Sequence, residues 1–160
     1  MTSISTKEIW DTYLQTFDHG KTGSKTFRVD LFDKAPISPL NHLLIVGTKY
    51  QTKEKDGFPQ GKDFELLYNI GDQLIELVCS NTNAILVGSF LYNNERLEYF
   101  YLENPKSLIS KIEDFYSIQY PNRKFFINIK EDASWMYYKE FLYPKENGLI
   151  QKTVMTETAS

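Results

Sequence analysis

Cysteine and histidine are scarce in this sequence. One cysteine, Cys79, and two histidines, His19 and His42, occur in 160 residues. A single cysteine cannot close an internal disulfide or build a cysteine-rich zinc site, and neither histidine has partners at ligand spacing. The sequence therefore predicts no metal and no cofactor. Cys79 ends an apolar helical pattern, which predicts a buried, unreactive thiol.

Long apolar runs are also missing. No stretch approaches the ~20 apolar residues that a membrane helix needs. Residues 1–10 lack the apolar centre of a signal peptide. We therefore predict no membrane partner and a cytoplasmic protein.

A strong excess of positive charge is a third absence. The formal net charge is −3 and the pI is about 5.4. A mildly acidic chain is poorly suited to general binding of phosphate backbones. Composition therefore argues against nucleic acid as a partner, although the aromatic strand discussed below calls for a specific test.

Signatures of catalysis are missing as well. Residues 20–22 (Gly-Lys-Thr) resemble part of a phosphate-binding loop, but Gln15 stands where that motif requires glycine. No Gly-x-Ser-x-Gly elbow occurs. Glu65, Asp72 and Glu76 fall near one another on a predicted helix, where a solvated face explains them better than acid–base chemistry. We assign no catalytic residue.

A hairpin over residues 84–102 organises what is present. An apolar run precedes Asn93-Asn94, and β-branched and aromatic residues follow it. Asparagine tolerates positive φ, so this pair predicts a two-residue turn.

The flanking patterns predict the fold class. A strand (42–50) and a helix (63–79) precede the hairpin; a helix opened by Asn104-Pro105 and a strand (124–130) follow it. This order predicts an α+β, ferredoxin-like βαββαβ sandwich. Further predicted elements are an N-terminal hairpin (8–17 with 25–32), a short C-terminal helix (134–142), a single domain over residues 1–144, and a mobile tail over 145–160.

Candidate binding residues lie in two places. The polar loop before the first helix holds Lys55, Asp56 and Phe58, and loops on a rigid scaffold often bind ligands. The alternative for Phe58 is a structural lid on the first helix. Tyr99 and Tyr101 on the third core strand are the second candidates, because aromatic residues there stack bases in RNA-recognition modules.

The RNA interpretation fits poorly. The expected strand motif carries glycines, whereas residues 96–99 read Arg-Leu-Glu-Tyr. Core packing explains the two tyrosines more simply. Trp135, Tyr138 and Leu142 recur at helical spacing and are predicted to be structural, anchoring the last helix on the sheet.

Three segments together resemble a known family. They are DASWMYYKEFLYP at 132–144, Asp-Gly-Phe-Pro at 56–59, and Arg96 followed by Tyr-Phe-Tyr at 99–101. The chain resembles, over residues 8–144, the uncharacterised bacterial family called domain of unknown function 695. The resemblance implies a ferredoxin-like fold and no established activity. Related proteins are sometimes associated with a domain similar to ribonuclease E inhibitor B, which implies protein binding.

Three functional hypotheses follow. The first is a non-enzymatic interaction or regulatory module whose partner is another protein, recruited at an exposed sheet edge. The second is a small-ligand-binding protein or enzyme with a pocket at the helix–sheet edge. The third is a toxin-neutralising immunity protein. The sequence leaves the oligomeric state open.

Overall fold

The computed structural model describes residues 7–17, 20–52 and 58–144, so the predicted tail at 145–160 lies outside the described residues. The mixed α+β class is confirmed. The elements in chain order are β1 (Trp10–Thr16), β2 (Thr22–Arg28), β3 (His42–Lys49), α1 (Lys62–Asn81), β4 (Ala84–Tyr92), β5 (Glu95–Leu102), α2 (Leu108–Gln119) and β6 (Phe125–Glu131), followed by a π-helical turn (Tyr138–Leu142).

The strands form one antiparallel sheet in the order β1-β2-β4-β5-β3-β6. The N-terminal hairpin is confirmed as β1 and β2, and β2 joins the sheet by pairing with β4. With this hairpin added, the strand order differs from that of a simple four-stranded ferredoxin-like fold.

The sheet has two differently covered faces. Phe100 and Leu102 of β5 point to one face, where they pack with buried residues of α1 and α2. Tyr99 and Tyr101 point to the other face and pack against residues 135–143, which we call the strap. This alternation is the period of two expected for a strand buried on both sides.

The central hairpin turns as predicted. Asn93 and Asn94 both have positive φ, 51° and 65°. Two consecutive positive φ values are the requirement of a type I′ turn, whose twist matches that of the flanking strands.

The start of α2 differs from its prediction. The helix begins at Leu108, with Ser107 before it at φ 63°. The side-chain oxygen of Asn104 accepts a hydrogen bond from the N–H of Lys106 at 3.0 Å. Asn104 therefore makes a local turn before the helix and does not cap it, a competition that asparagine often wins against helix formation.

The strap only partly matches the predicted helix over 134–142. Asp132 accepts hydrogen bonds from the N–H groups of Met136 and Tyr137 at 3.1 and 3.0 Å, so it caps the segment. Trp135 has φ 57°, and the chain then makes a π-helical turn. The Trp135 indole donates to the carbonyl of Leu40 at 2.8 Å, which holds the strap on the sheet.

The prediction of a buried Cys79 is wrong, since this cysteine is exposed at the end of α1. Partial burial nevertheless raises the pKa of the Cys79 thiol. In the described part of the chain, no helix is long and apolar enough to cross a membrane.

Candidate functional site

A cleft of about 1050 Å³ opens at one end of the sheet. It lies where β3 ends, where β4 turns into β5, and where α1 and β6 begin. We call it the edge cleft; its lining residues are Lys49, Tyr50, Gln51, Thr52, Gln60, Asp63, Asn93, Asn94, Asn122, Arg123 and Lys124.

Backbone hydrogen bonds hold the walls of the cleft together. The N–H of Tyr50 donates to the carbonyl of Asn94 at 3.0 Å, which ties the end of β3 to the hairpin turn. The N–H of Lys49 donates to the carbonyl of Lys124 at 3.0 Å, which ties it to the segment before β6. The side chains at this edge therefore project from an ordered frame.

The cleft is rich in positive charge. Lys49 and Lys124 are exposed and Arg123 is half-buried. Among the described residues, no carboxylate forms an ion pair with these three cations within 4.0 Å. The described lining of the cleft contains one acidic side chain, Asp63.

Glu95 lies opposite Lys49 in the β3–β5 ladder, but no ion pair within 4.0 Å joins the two side chains. Its carboxylate packs over Gly47, where an added Cβ would meet a carboxylate oxygen at 2.8 Å.

Amide side chains supply most of the remaining polar groups. They offer donors and acceptors to a ligand that carries more than charge. One of them, Asn93, is already engaged, since its side-chain oxygen accepts from Lys21 Nζ at 2.5 Å. The amide residues of the lining are Gln51, Gln60, Asn93, Asn94 and Asn122.

The structure describes only part of the loop that was predicted to bind a ligand. Lys55 and Asp56 fall outside the described residues, and so does His19. Phe58 is half-buried and is not part of the lining, while Pro59 next to it is buried. A binding role for the loop stays a prediction.

Tyr99 and Tyr101 lie away from the cleft, in the core beneath the strap, and both are fully buried. Tyr101 donates to Asp132 at 2.6 Å and stacks on Trp135, with 4.1 Å between ring centroids. Tyr137 donates to the Tyr99 hydroxyl at 3.2 Å. Both side chains are therefore engaged with the strap, and a binding role for them stays a prediction.

The three residues assigned to structure are fully buried in the same layer. Trp135 and Tyr138 meet edge to face at 5.8 Å, and the Tyr138 hydroxyl donates to the carbonyl of Arg28. Leu142 completes the set, lying against Gly88 of β4.

Glu98 and Lys25 are ionisable groups that are buried elsewhere in the fold. Glu98 is buried under α1, and burial raises its pKa against the opposing effect of Arg96, whose Nε lies 2.6 Å from the carboxylate. Lys25 is buried on the strap face and donates to the carbonyl of Phe141 at 2.8 Å. Neither group is among the lining residues of the cleft.

No set of catalytic or metal-binding groups accompanies the cleft. Across residues 7–17, 20–52 and 58–144, no three His, Cys, Asp or Glu side chains are placed to hold a metal ion. The lining residues that the structure describes include no histidine, cysteine or serine. What this arrangement can do chemically is attract and hydrogen-bond a negatively charged group.

Sequence reasoning missed the cationic cluster. Lys49 ends β3, and Arg123 and Lys124 precede β6, far apart in the chain. The sequence did show that each of these three residues lies at or next to the end of a predicted strand. Only the pairing of β3 with β6 brings them together.

The comparisons with known proteins give one match. The family described as "Family of unknown function (DUF695)" has a model that matches residues 8–143. No curated protein and no solved structure matches the chain.

Proposed function

We propose a function for this chain, which belongs to the DUF695 family of unknown function. It is a non-enzymatic interaction module that binds an acidic segment of another protein in the edge cleft. One observation carries the proposal. Lys49, Arg123 and Lys124 converge at one end of the sheet, and no carboxylate of the described residues forms an ion pair with any of them.

The charge distribution supports a local site rather than general affinity. The whole chain has a net charge of −3, so its average field repels an acidic partner. Attraction therefore depends on local clusters of positive charge such as the cleft, and such complementarity orients a partner and excludes others.

A non-enzymatic role is supported by the chemistry of the lining. General acid–base catalysis needs a positioned group of suitable pKa, and nucleophilic catalysis needs an activated nucleophile beside a base. In the described part of the cleft, Asp63 is the one carboxylate and it has no such partner.

A small anionic ligand is the second candidate. The cleft volume, about 1050 Å³, lies near the upper end of the ~300–1,000 Å³ typical of ligand pockets. The amide side chains support this candidate because they suit a ligand with hydroxyl or carbonyl groups beside its charge. The toxin-neutralising hypothesis stays a prediction, and so does the cytoplasmic location.

The proposal also includes a ferredoxin-like unit formed by β3, α1, β4, β5, α2 and β6. Its support is the strand order β4-β5-β3-β6, which places the hairpin beside β3, together with the packing of both helices on one face. In this arrangement β1 and β2 are an added hairpin.

Binding of fluorescent poly-L-glutamate tests the function. A triple variant with Lys49→Glu, Arg123→Glu and Lys124→Glu should bind poly-L-glutamate about tenfold or more weakly. Each surface charge contact contributes roughly 0.2–1 kcal/mol, and the change to glutamate turns attraction into repulsion. A total of about 1.4 kcal/mol corresponds to a tenfold change in the dissociation constant. Rising salt should weaken binding to the unmodified chain, because exposed charges are screened.

The matched control is Lys7→Glu, Lys34→Glu and Lys106→Glu, three exposed lysines outside the cleft. It changes the net charge equally and should retain most of the binding. Equal loss in both triple variants, with both folded by circular dichroism, would refute the cleft as the site. A single-stranded RNA tested alongside should bind more weakly than poly-L-glutamate; tighter RNA binding would also refute the proposal.

A further inference from the structure

We propose that β6 accepts the acidic partner segment as an added antiparallel or parallel strand, and that this segment continues into the edge cleft. The inference rests on the proposed function and names its binding mode. It follows from three features of β6: free backbone groups, alternation of its side chains, and positive charge.

Two backbone hydrogen bonds at the ends of the β3–β6 ladder identify the outward backbone groups of β6. The N–H of Lys49 donates to the carbonyl of Lys124 at 3.0 Å, and the N–H of Asp132 donates to the carbonyl of Asn41 at 2.8 Å. In an antiparallel pair, bonded residue pairs alternate with unbonded ones. The even-numbered residues of β6 are thus bonded to β3, and the outward N–H and C=O groups belong to Phe125, Ile127, Ile129 and Glu131.

Within residues 7–17, 20–52 and 58–144, no strand covers this side of β6. β6 ends the strand order, and in the described residues it pairs with β3 alone. An unpaired edge of this kind is a template for another strand, which gains main-chain hydrogen bonds from it.

The side chains of β6 define the pattern of the occupant. Phe125, Ile127 and Ile129 are half-buried and pack beside the helices. Lys124 and Lys130 are exposed on the opposite face. A strand laid beside β6 would therefore fit best with apolar residues toward the helices and acidic residues toward the lysines.

Lys124 connects the edge to the cleft. It borders β6 and also lines the cleft with Lys49 and Arg123. A segment running along β6 toward Lys124 therefore reaches the cationic cluster without leaving the surface.

The opposite edge of the sheet lacks these features. The N–H of Val29 donates to the carbonyl of Ile9, which makes the odd-numbered residues of β1 the bonded ones and turns the N–H of Thr12 outward. The Asp11 carboxylate already accepts that N–H at 2.8 Å. β1 contains no lysine or arginine, so its edge is partly capped and acidic.

A peptide of alternating Glu and Val residues, about as long as β6, tests the inference. Hydrogen–deuterium exchange on the unmodified chain should show slower exchange at the N–H groups of Phe125, Ile127 and Ile129 when this peptide is added. The same peptide with Lys in place of Glu should give no protection.

A matched pair of variants isolates the backbone donor. Ile127→Pro removes the outward N–H, whereas Ile127→Ala removes a similar part of the side chain and keeps that N–H. The β3 ladder does not use this group, and proline is tolerated on such an edge. Binding of the Glu–Val peptide should be about tenfold weaker for Ile127→Pro than for Ile127→Ala.

The outcomes separate the two proposals. Protected N–H groups with a weaker Ile127→Pro variant support strand addition; should the proline variant fail to fold, the exchange data on the unmodified chain decide. Binding that needs Lys49, Arg123 and Lys124 but leaves β6 exchange unchanged overturns strand addition and leaves the proposed function standing. Absence of binding by both the Glu–Val peptide and poly-L-glutamate overturns both.

Discussion

At the scale of single residues, Lys25 is a charged side chain that packs among aromatic rings inside the protein. Its ammonium lies 3.6 Å from the ring centroid of Phe141 and within 5.7 Å of those of Tyr13, Phe17 and Phe90. The ammonium also donates to the strap carbonyl of Phe141. Cation–π attraction and this hydrogen bond oppose the cost of burial, yet burial still lowers the pKa of Lys25 to about 8.

The lowered pKa predicts a pH dependence of stability. Between the folded pKa of about 8 and the ordinary value of 10.5, the unfolded chain binds more protons than the folded chain. Lys25 should therefore make the free energy of unfolding rise as pH rises from about 8 toward 9. Urea unfolding at several pH values measures it.

Lys25→Met should flatten this rise, whereas Lys106→Met, at an exposed position, should preserve it. Burial also raises the pKa of the core tyrosines and of Cys79, which lowers stability as pH approaches their ordinary values of 10.0 and 9.0. The Lys25 effect is therefore measured below about pH 9, as the difference in slope between the two variants. Equal slopes for Lys25→Met and Lys106→Met in this range would contradict the assigned environment of Lys25.

At the scale of elements, a buried ion pair lies between α1 and the sheet. Glu98 points under the helix, and its carboxylate oxygen lies 3.1 Å from where a Cβ of Gly71 would be. Arg96 forms the ion pair with Glu98, and its guanidinium lies 4.9 Å from the ring centroid of Tyr68 on α1. The strand pattern could predict that Glu98 shares a face with Phe100, but only the position of α1 above it shows that this face is covered.

Breaking that pair should be costly, whereas replacing it should not. Glu98→Gln leaves the Arg96 guanidinium buried without its charge partner, which typically costs about 3–5 kcal/mol. Arg96→Met with Glu98→Met removes both charges and should cost much less. Urea unfolding of Arg96→Met, Glu98→Met and the double variant gives the coupling energy; additive losses would show that the pair is not energetically linked.

Local rules predicted most elements but not their ends. Asn93-Asn94 gave the hairpin because positive φ is a property of the turn itself. Asn104-Pro105 misplaced the start of α2, since asparagine serves a turn as readily as a helix cap. The sequence could not predict the positive φ of Trp135, because the hydrogen bond that its indole donates to Leu40 joins residues distant in sequence.

At the scale of the whole molecule, strand order creates the candidate site. β3 pairs with both β5 and β6, so its last residue Lys49 meets Lys124 on one side and the Asn93-Asn94 turn nearby. Composition could not reveal this, because an acidic total charge hides a cationic cluster of three residues. The sequence pointed to the loop before α1, which borders the cleft, and missed the cluster itself.

Nuclear magnetic resonance of the unmodified, ¹⁵N-labelled chain with the Glu–Val peptide can locate the binding site directly. We expect concentration-dependent amide shifts confined to residues 49–52, 93–94 and 122–131, where the edge cleft meets β6. Shifts centred on the strap or on β1, or no shifts at peptide concentrations that saturate binding, would contradict a binding site at the edge cleft.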